Sequence, residues 1–283
     1  MPSGICMSSA LLIGKPSETL RSIAEALAAT DCQCEQVDGG AGAIRRLRKQ
    51  GFDVIVTDPD TTIEEDLALL EELRDVRPGV KAILLAPATT ADEIIAALRA
   101  RVFVCLAAPF DAQQVADFAC KAATDSDWRT EIEVLAAQPD WVSLRVNCRL
   151  LTAERVVTFL GELHSEVPDA ARDDVMLAFR EILLNAMEHG AGFNRHKVVE
   201  ISAVRTQRTL VFYVRDPGPG FRREKLAHAA ITNPADAPAA HIERREELGM
   251  RSGGFGILLA RGVVDELIYS EAGNEVLLIK HTA

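Results

Sequence analysis

A chain of 283 residues is too long for one average domain and too short for three, so two cores of unequal size are expected. With 48% hydrophobic and 26% charged residues the composition is that of a folded globular protein and excludes disorder as a global description. Lys plus Arg number 31 against 42 Asp plus Glu, and the net charge of -11 repels phosphate backbones and anionic lipid, which argues against direct nucleic-acid binding.

The opening MPSGICMSSALLIGK has no basic segment ahead of its apolar residues and reads as a first strand rather than an export signal, so a cytoplasmic location is expected. From Ala10 to about Thr124 the runs ALLIG, CEQV, DVIVTD, KAILLA and VFVCLAA alternate with five amphipathic helical stretches. Strict alternation with short connections predicts an α/β doubly wound, five-stranded parallel sheet with helices on both faces, over residues 1–124. In such a sheet function sits at the carboxyl ends of the strands, here Gly14 and Lys15, Asp58, Ala86, and Ala107 to Pro109. Residues 125–139 are more polar and end at a proline, predicting a linker with a short helix.

From residue 140 onward the order changes. WVSLRVNC alternates as a strand, LTAERVVTFLGELHSEV and DAARDDVMLAFREILLNAMEHGAG read as helices, and VVEISAVR and TLVFYVRD as a hairpin. A loop rich in Gly, Pro, Ala and charge runs from Pro217 to Gly254, followed by helix FGILLARGVVDEL and a strand pair around EAGNE. Helices followed by antiparallel strands predict an α+β two-layer sandwich over 140–283. The longest apolar runs, such as Ile83 to Pro87, fall far short of the roughly 18 residues that span a bilayer, so no membrane contact is expected. Six cysteines lie scattered with no C-x-x-C pair, which points to neither a zinc cage nor a disulfide framework.

Three polar motifs punctuate the second half. Glu181, Asn185 and His189 recur at i, i+4 and i+8 and are expected on one helix face. Asp216-Pro-Gly218-Pro-Gly220-Phe221 follows a strand, and Gly253-Gly254-Phe255-Gly256 opens a helix. Singly, each is as readily a turn or a flexible helix start.

In that order and spacing, E-x-x-x-N-A-x-x-H-G, D-x-G-x-G-F and G-x-G-I resemble the nucleotide boxes of the GHKL (Bergerat) ATPase superfamily. LGMRSGGFGILLARGVVDEL is most similar to the serine kinase anti-sigma factors, a resemblance covering about Asp140 to Ala283. It implies ATP and Mg as cofactors and serine/threonine kinase activity. Asp216 would accept the adenine amine, and Gly218 and Gly220 would let the backbone approach the base. Asn185 would ligate Mg, and the N–H groups from Gly254 through Gly256 to Ile257 would meet phosphate at the positive end of a helix dipole. Arg251 would reach the γ-phosphate, and Glu181 would accept the proton of the attacking hydroxyl.

The resemblance further implies protein partners, namely an antagonist protein whose serine is phosphorylated and a sigma factor held in a partner switch, with Pro217 to Gly254 as nucleotide lid. Alternatives are a nucleotide-dependent binding switch without phosphotransfer, or a histidine-kinase-like ATPase. The latter needs an acceptor histidine, and His164 in GELHSEVP reads instead as a partly exposed histidine at a helix end.

The first 124 residues resemble a response-regulator receiver, with Asp58 as phosphoacceptor and Pro109 in the usual dipeptide. Gly14 and Lys15 stand where an acidic pair would bind magnesium, Ala86 where a hydroxyl residue is usual, and Ala108 in place of lysine. In-line transfer to a carboxylate needs a cation and a lysine to offset oxygen charge, so a degenerate pseudo-receiver is expected. Lys15 is expected either to pair with Asp58 or to point to solvent. The Ala108-Pro109 bond is trans by default and cis by the resemblance. Amphipathic fourth and fifth helices leave room for a homodimer.

Overall fold

The computed structural model describes residues 8–30, 32–220 and 256–282. The chain divides into two compact units, Met1–Thr130 and Glu131–Ala283. In the first, β1 (Ser8–Ile13), α1 (Glu18–Ala28), β2 (Cys32–Val37), α2 (Gly39–Lys49), β3 (Val54–Val56), α3 (Ile63–Val76), β4 (Lys81–Ala86), α4 (Ala91–Arg99), β5 (Val104–Ala107) and α5 (Ala112–Thr124) alternate as expected. The strands form one all-parallel sheet in the order β2-β1-β3-β4-β5, the flavodoxin-like doubly wound arrangement. Its central strands are buried on both faces: every residue of β3 and β4 is buried, as helices on both sides require. The helix starts are written locally. Thr62 and Thr90 each close a capping box with Glu65 and Glu93, satisfying otherwise orphaned backbone donors.

Within the expected linker, 125–139, lie a short helical turn and a strand. A 3-10 turn, Trp128–Thr130, packs Trp128 against Phe103 with ring centroids 6.1 Å apart, extending the first unit. Residues Ile132–Gln138 then form β6, the edge strand of the second sheet. Its period-two pattern is broken by a bulge between Val134 and Ala136, which hides the strand from a reading of periodicity. The strand start is held by Glu131, 1% exposed, whose carboxylate takes ion pairs from Arg149 and Arg155 and a hydrogen bond from Thr152 Oγ1 at 3.0 Å.

The second unit continues with β7 (Trp141–Asn147), α6 (Leu150–Leu163), α7 (Asp169–Asn185), β8 (Val198–Arg205), β9 (Thr209–Arg215), α8 (Gly256–Val263), β10 (Glu266–Tyr269) and β11 (Glu275–His281). The antiparallel sheet runs β10-β11-β9-β8-β7-β6. Residues 265–267, expected to finish the last helix, belong to the turn and the start of β10 instead, because α8 ends at Val263. Helix α7 presents Val175, Ala178, Phe179, Ile182 and Leu183 at i, i+3, i+4 spacing, and Phe179 meets Phe212 of β9 at 4.9 Å between centroids. Lys280 of β11 donates to the Val263 carbonyl at 2.7 Å and pairs with Asp174 at 2.8 Å, tying α7, α8 and the sheet together at a helix C-terminus. The two-layer α+β sandwich is thus as expected. Among the described residues, no helix is long and apolar enough to cross a membrane.

Candidate functional site

Helix α7 carries the first polar group. Glu181 and Asn185, one turn apart, face the first residue of α8: a Cβ added to Gly256 would stand 2.8 Å from Glu181 Oε2 and 3.3 Å from Asn185 Nδ2. Only glycine leaves that space open between a carboxylate, an amide and the positive end of a helix. Arg180 Nη1 holds the other oxygen, Oε1 of Glu181, at 3.0 Å. After Asn185 the chain enters a π turn, Ala186–Gly190, whose wider winding leaves His189 exposed.

The same π turn delivers Gly190 to Asp216, at the carboxyl end of β9 and its junction with the following loop. A Cβ on Gly190 would lie 2.1 Å from Asp216 Oδ1, and one on Gly218 would lie 2.7 Å from the same oxygen. Two glycines therefore clasp one carboxylate. Gly218 N–H donates to Oδ1 at 2.7 Å, and among the described residues Oδ2 takes no hydrogen bond. Burial raises the Asp216 pKa above the ordinary range, against the opposing pull of the Gly218 N–H and Lys197. Gly220, at φ +75°, packs on the β10–β11 turn, where a Cβ would strike the Ala272 carbonyl. That turn fixes Asp216 in return, through Asp216 N–H to Asn274 O at 3.0 Å.

Arg251 and Gly254 lie outside the described residues, as do most of the Pro217 to Gly254 stretch and Phe221, Gly253 and Phe255. Of the expected site residues, Glu181 and Asn185 thus converge with Gly256, and Asp216 with Gly218, while the π turn joins the two groups. Gly190 closes the E-x-x-x-N-A-x-x-H-G box, but the expectation gave it no role of its own. The residues fit a nucleotide with its cation: a carboxylate oxygen open for a base amine, an amide for one metal bond, and cradles that any Cβ would fill. Among the described residues, no group of three or more His, Cys, Asp or Glu side chains is placed to hold a metal by itself.

At the carboxyl edge of the first sheet, Asp58 lies against Gly14, where a Cβ would stand 2.6 Å from Asp58 Oδ2 and φ is +136°. An acidic side chain has no room there. Lys15 is exposed and forms no ion pair with Asp58, so the solvent-pointing alternative holds. Ala86 is buried and the Ala108-Pro109 bond is cis. Behind the site Asp66, 2% exposed, accepts from Thr61 Oγ1 at 2.8 Å, and Thr61 in turn binds the Asp58 carbonyl. Its Oδ2 has no partner, and burial pushes its pKa up to about 6.

His164, read as partly exposed, is 1% exposed: it caps α6 and packs edge-on against Phe212 at 5.6 Å, with neither ring nitrogen hydrogen-bonded. Its burial lowers the pKa to about 4.

The second unit is a two-layer helix-on-sheet domain. Residues 146–280 match the family model of the histidine kinase-like ATPase domain. The first unit is similar in structure to a response regulator from Thermotoga maritima (19% identity, 42% of this chain, 99% of that chain, TM-score 0.39). It is also similar to a response regulator receiver domain protein from Clostridium thermocellum (21%, 41% and 94%, TM-score 0.36). A third similar structure is a pilus assembly-related protein from Burkholderia pseudomallei (22%, 41% and 90%, TM-score 0.37). No curated protein matches the sequence.

Proposed function

We propose that the chain is a cytoplasmic signalling regulator in which a degenerate receiver controls an ATP- and Mg-dependent protein serine kinase of anti-sigma type that acts by partner switching. The observation that carries this reading is the convergence of Glu181, Asn185 and Gly256 at the start of α8, joined by one π turn to the clasped carboxylate of Asp216. Asp216 Oδ2 accepts the amine of the base, and its fixed position selects adenine over a base with a carbonyl there. Asn185 supplies one oxygen to the cation, and the N-terminal N–H groups of α8 face phosphate. Bound Mg-ATP supplies the transferable phosphoryl group and the cation that offsets its charge. Glu181 Oε2 takes the proton from the partner's serine hydroxyl, with Arg180 holding Oε1 so that Oε2 points into the site.

Control by the first unit rests on what surrounds Asp58. Gly14 leaves no space for a magnesium-binding acid, and Ala108 offers no cation. The unit then signals through binding or docking rather than through phosphorylation of Asp58.

The test is incubation of the full chain with labelled ATP, magnesium and candidate antagonist proteins. Label on a partner's serine, lost in Glu181→Gln with ATP binding kept and lost in Asn185→Ala with magnesium-dependent binding weakened, supports the kinase. Nucleotide binding without transfer to any partner supports the binding switch.

A further inference from the structure

The cysteines carry no pairing signal in the sequence, yet the fold of the first unit brings two of them together. Cys32 opens β2, the edge strand of the parallel sheet, and is 4% exposed. Cys120 lies in the C-terminal half of α5 and is half-buried. Helices α1 and α5 pack together, α1 against β2 and α5 against β1 and β3. The Cys120 thiol donates to Thr30 Oγ1 at 3.2 Å, just ahead of β2, and that hydroxyl donates on to the Leu27 carbonyl at 2.6 Å. With the Cys120 proton engaged there, the Cys32 thiol donates to the Cys120 sulfur, so the two side chains meet sulfur to sulfur.

A buried cysteine ordinarily acts as a small apolar side chain, a role that fits Cys105 and Cys148, both 0% exposed. The pair of Cys32 and Cys120 differs in two respects: thiol faces thiol, and one of the two is only partly covered. Cys34, two residues along β2 and on the same side of the strand as Cys32, is exposed.

We infer that Cys32 and Cys120 form a reversible dithiol/disulfide couple, a covalent latch between edge strand β2 and helix α5 that closes under oxidising conditions. The oxidant is a low-molecular-weight disulfide of the glutathione class. The Cys120 thiol gives its proton to water and attacks one sulfur of that disulfide; the S–S bond breaks, and one small thiolate leaves and takes up a proton. The Cys32 thiol then loses its proton and attacks Cys120 Sγ, the mixed S–S bond breaks, and the second small thiol departs. Two protein thiols thus lose two electrons and two protons, and the small disulfide gains both as two thiols.

The order follows from access. Burial pushes the Cys32 thiol up to about 12, so it stays neutral at pH 7 and does not react with oxidants in solution. Its contact with Cys120 makes the second attack intramolecular, which offsets the small thiolate fraction. Helix α5 runs on through the Trp128–Thr130 turn to Glu131, so the latch grips the part of the first unit that leads in sequence into the second. The inference is independent of nucleotide binding.

The test is peptide mapping of the full chain equilibrated in glutathione buffers from reduced to oxidised, quenched in acid and alkylated after denaturation. The expected result is loss of both thiols, with the Cys32 and Cys120 peptides joined within one chain as the buffer becomes oxidising and separated again by dithiothreitol. Cys32→Ser should stop the reaction at Cys120 with glutathione bound, Cys120→Ser should abolish the crosslink, and Cys34→Ser should leave it unchanged. Circular dichroism checks the fold of each variant, and if a serine variant fails to fold, the map of the unaltered chain decides alone. Retention of both thiols at every ratio, glutathione on Cys120 without the crosslink in the unaltered chain, or a crosslink that joins either residue to another cysteine, overturns the proposal.

Discussion

Asp216 is a carboxylate whose usefulness depends on being half-buried and yet ionised. Its pKa stands above the ordinary range, so the acceptor for a base amine is lost at a higher pH than an exposed aspartate would lose it. ATP affinity should therefore fall on acidification from neutral pH earlier than titration of an ordinary exposed aspartate would give, a trend that calorimetry across pH reads directly. Gly190→Ala should displace the carboxylate from the other side and weaken ATP by about 10-fold or more, the value of a hydrogen bond to a charged group; unchanged affinity would show the clasp to be irrelevant. At this scale the sequence spelled out Glu181, Asn185, Asp216 and Gly218, because side-chain type and spacing survive without a fold. Gly190 stood in the E-x-x-x-N-A-x-x-H-G box, but its contact with Asp216, like the action of Lys197 on Asp216, was not legible, since only tertiary packing brings them to that carboxylate.

Among the elements, β6 and the π turn departed from expectation for different reasons. A bulged edge strand with half-exposed residues has no clean alternation to read, and its anchor, Glu131, is 21 and 24 residues from Thr152 and Arg155 in sequence. Glu131→Gln removes the charge that compensates buried Arg155 and should destabilise the second unit by about 3–5 kcal/mol, seen as an earlier urea midpoint for that unit. The π turn follows from no composition signal, since the pattern through Asn185 reads as one continuous helix. The five alternating strands and helices of the first unit were legible throughout, because periodicity, capping boxes and buried runs all agree there.

Taken whole, the molecule joins two units whose buried titratable groups pull stability in opposite directions. His164 binds its proton at about 4 when folded against about 6.5 when unfolded, so its contribution is complete above pH 6.5 and is lost as pH falls toward 4, by roughly 3 kcal/mol. Asp66 holds its proton to about pH 6 when folded but releases it near 4 when unfolded, so its contribution is complete below pH 4 and declines by about 3 kcal/mol as pH rises to 6. Acidification from pH 6.5 to 4.5 should therefore lower the unfolding midpoint of the second unit through His164 and raise that of the first through Asp66. Asp66→Asn should flatten only the latter, as followed by two-transition urea unfolding. Both groups are buried polar residues, and neither burial was legible in the sequence: His164 read as a partly exposed histidine at a helix end.

The central claim, that the second unit holds Mg-ATP through Asp216, is tested most directly by isothermal titration of Mg-ATP into the full chain and into its Asp216→Asn variant. Saturable heat with one site per chain, weakened about 10-fold or more by the substitution, is the predicted result. No heat with the unaltered protein, or equal affinity in both, would contradict it.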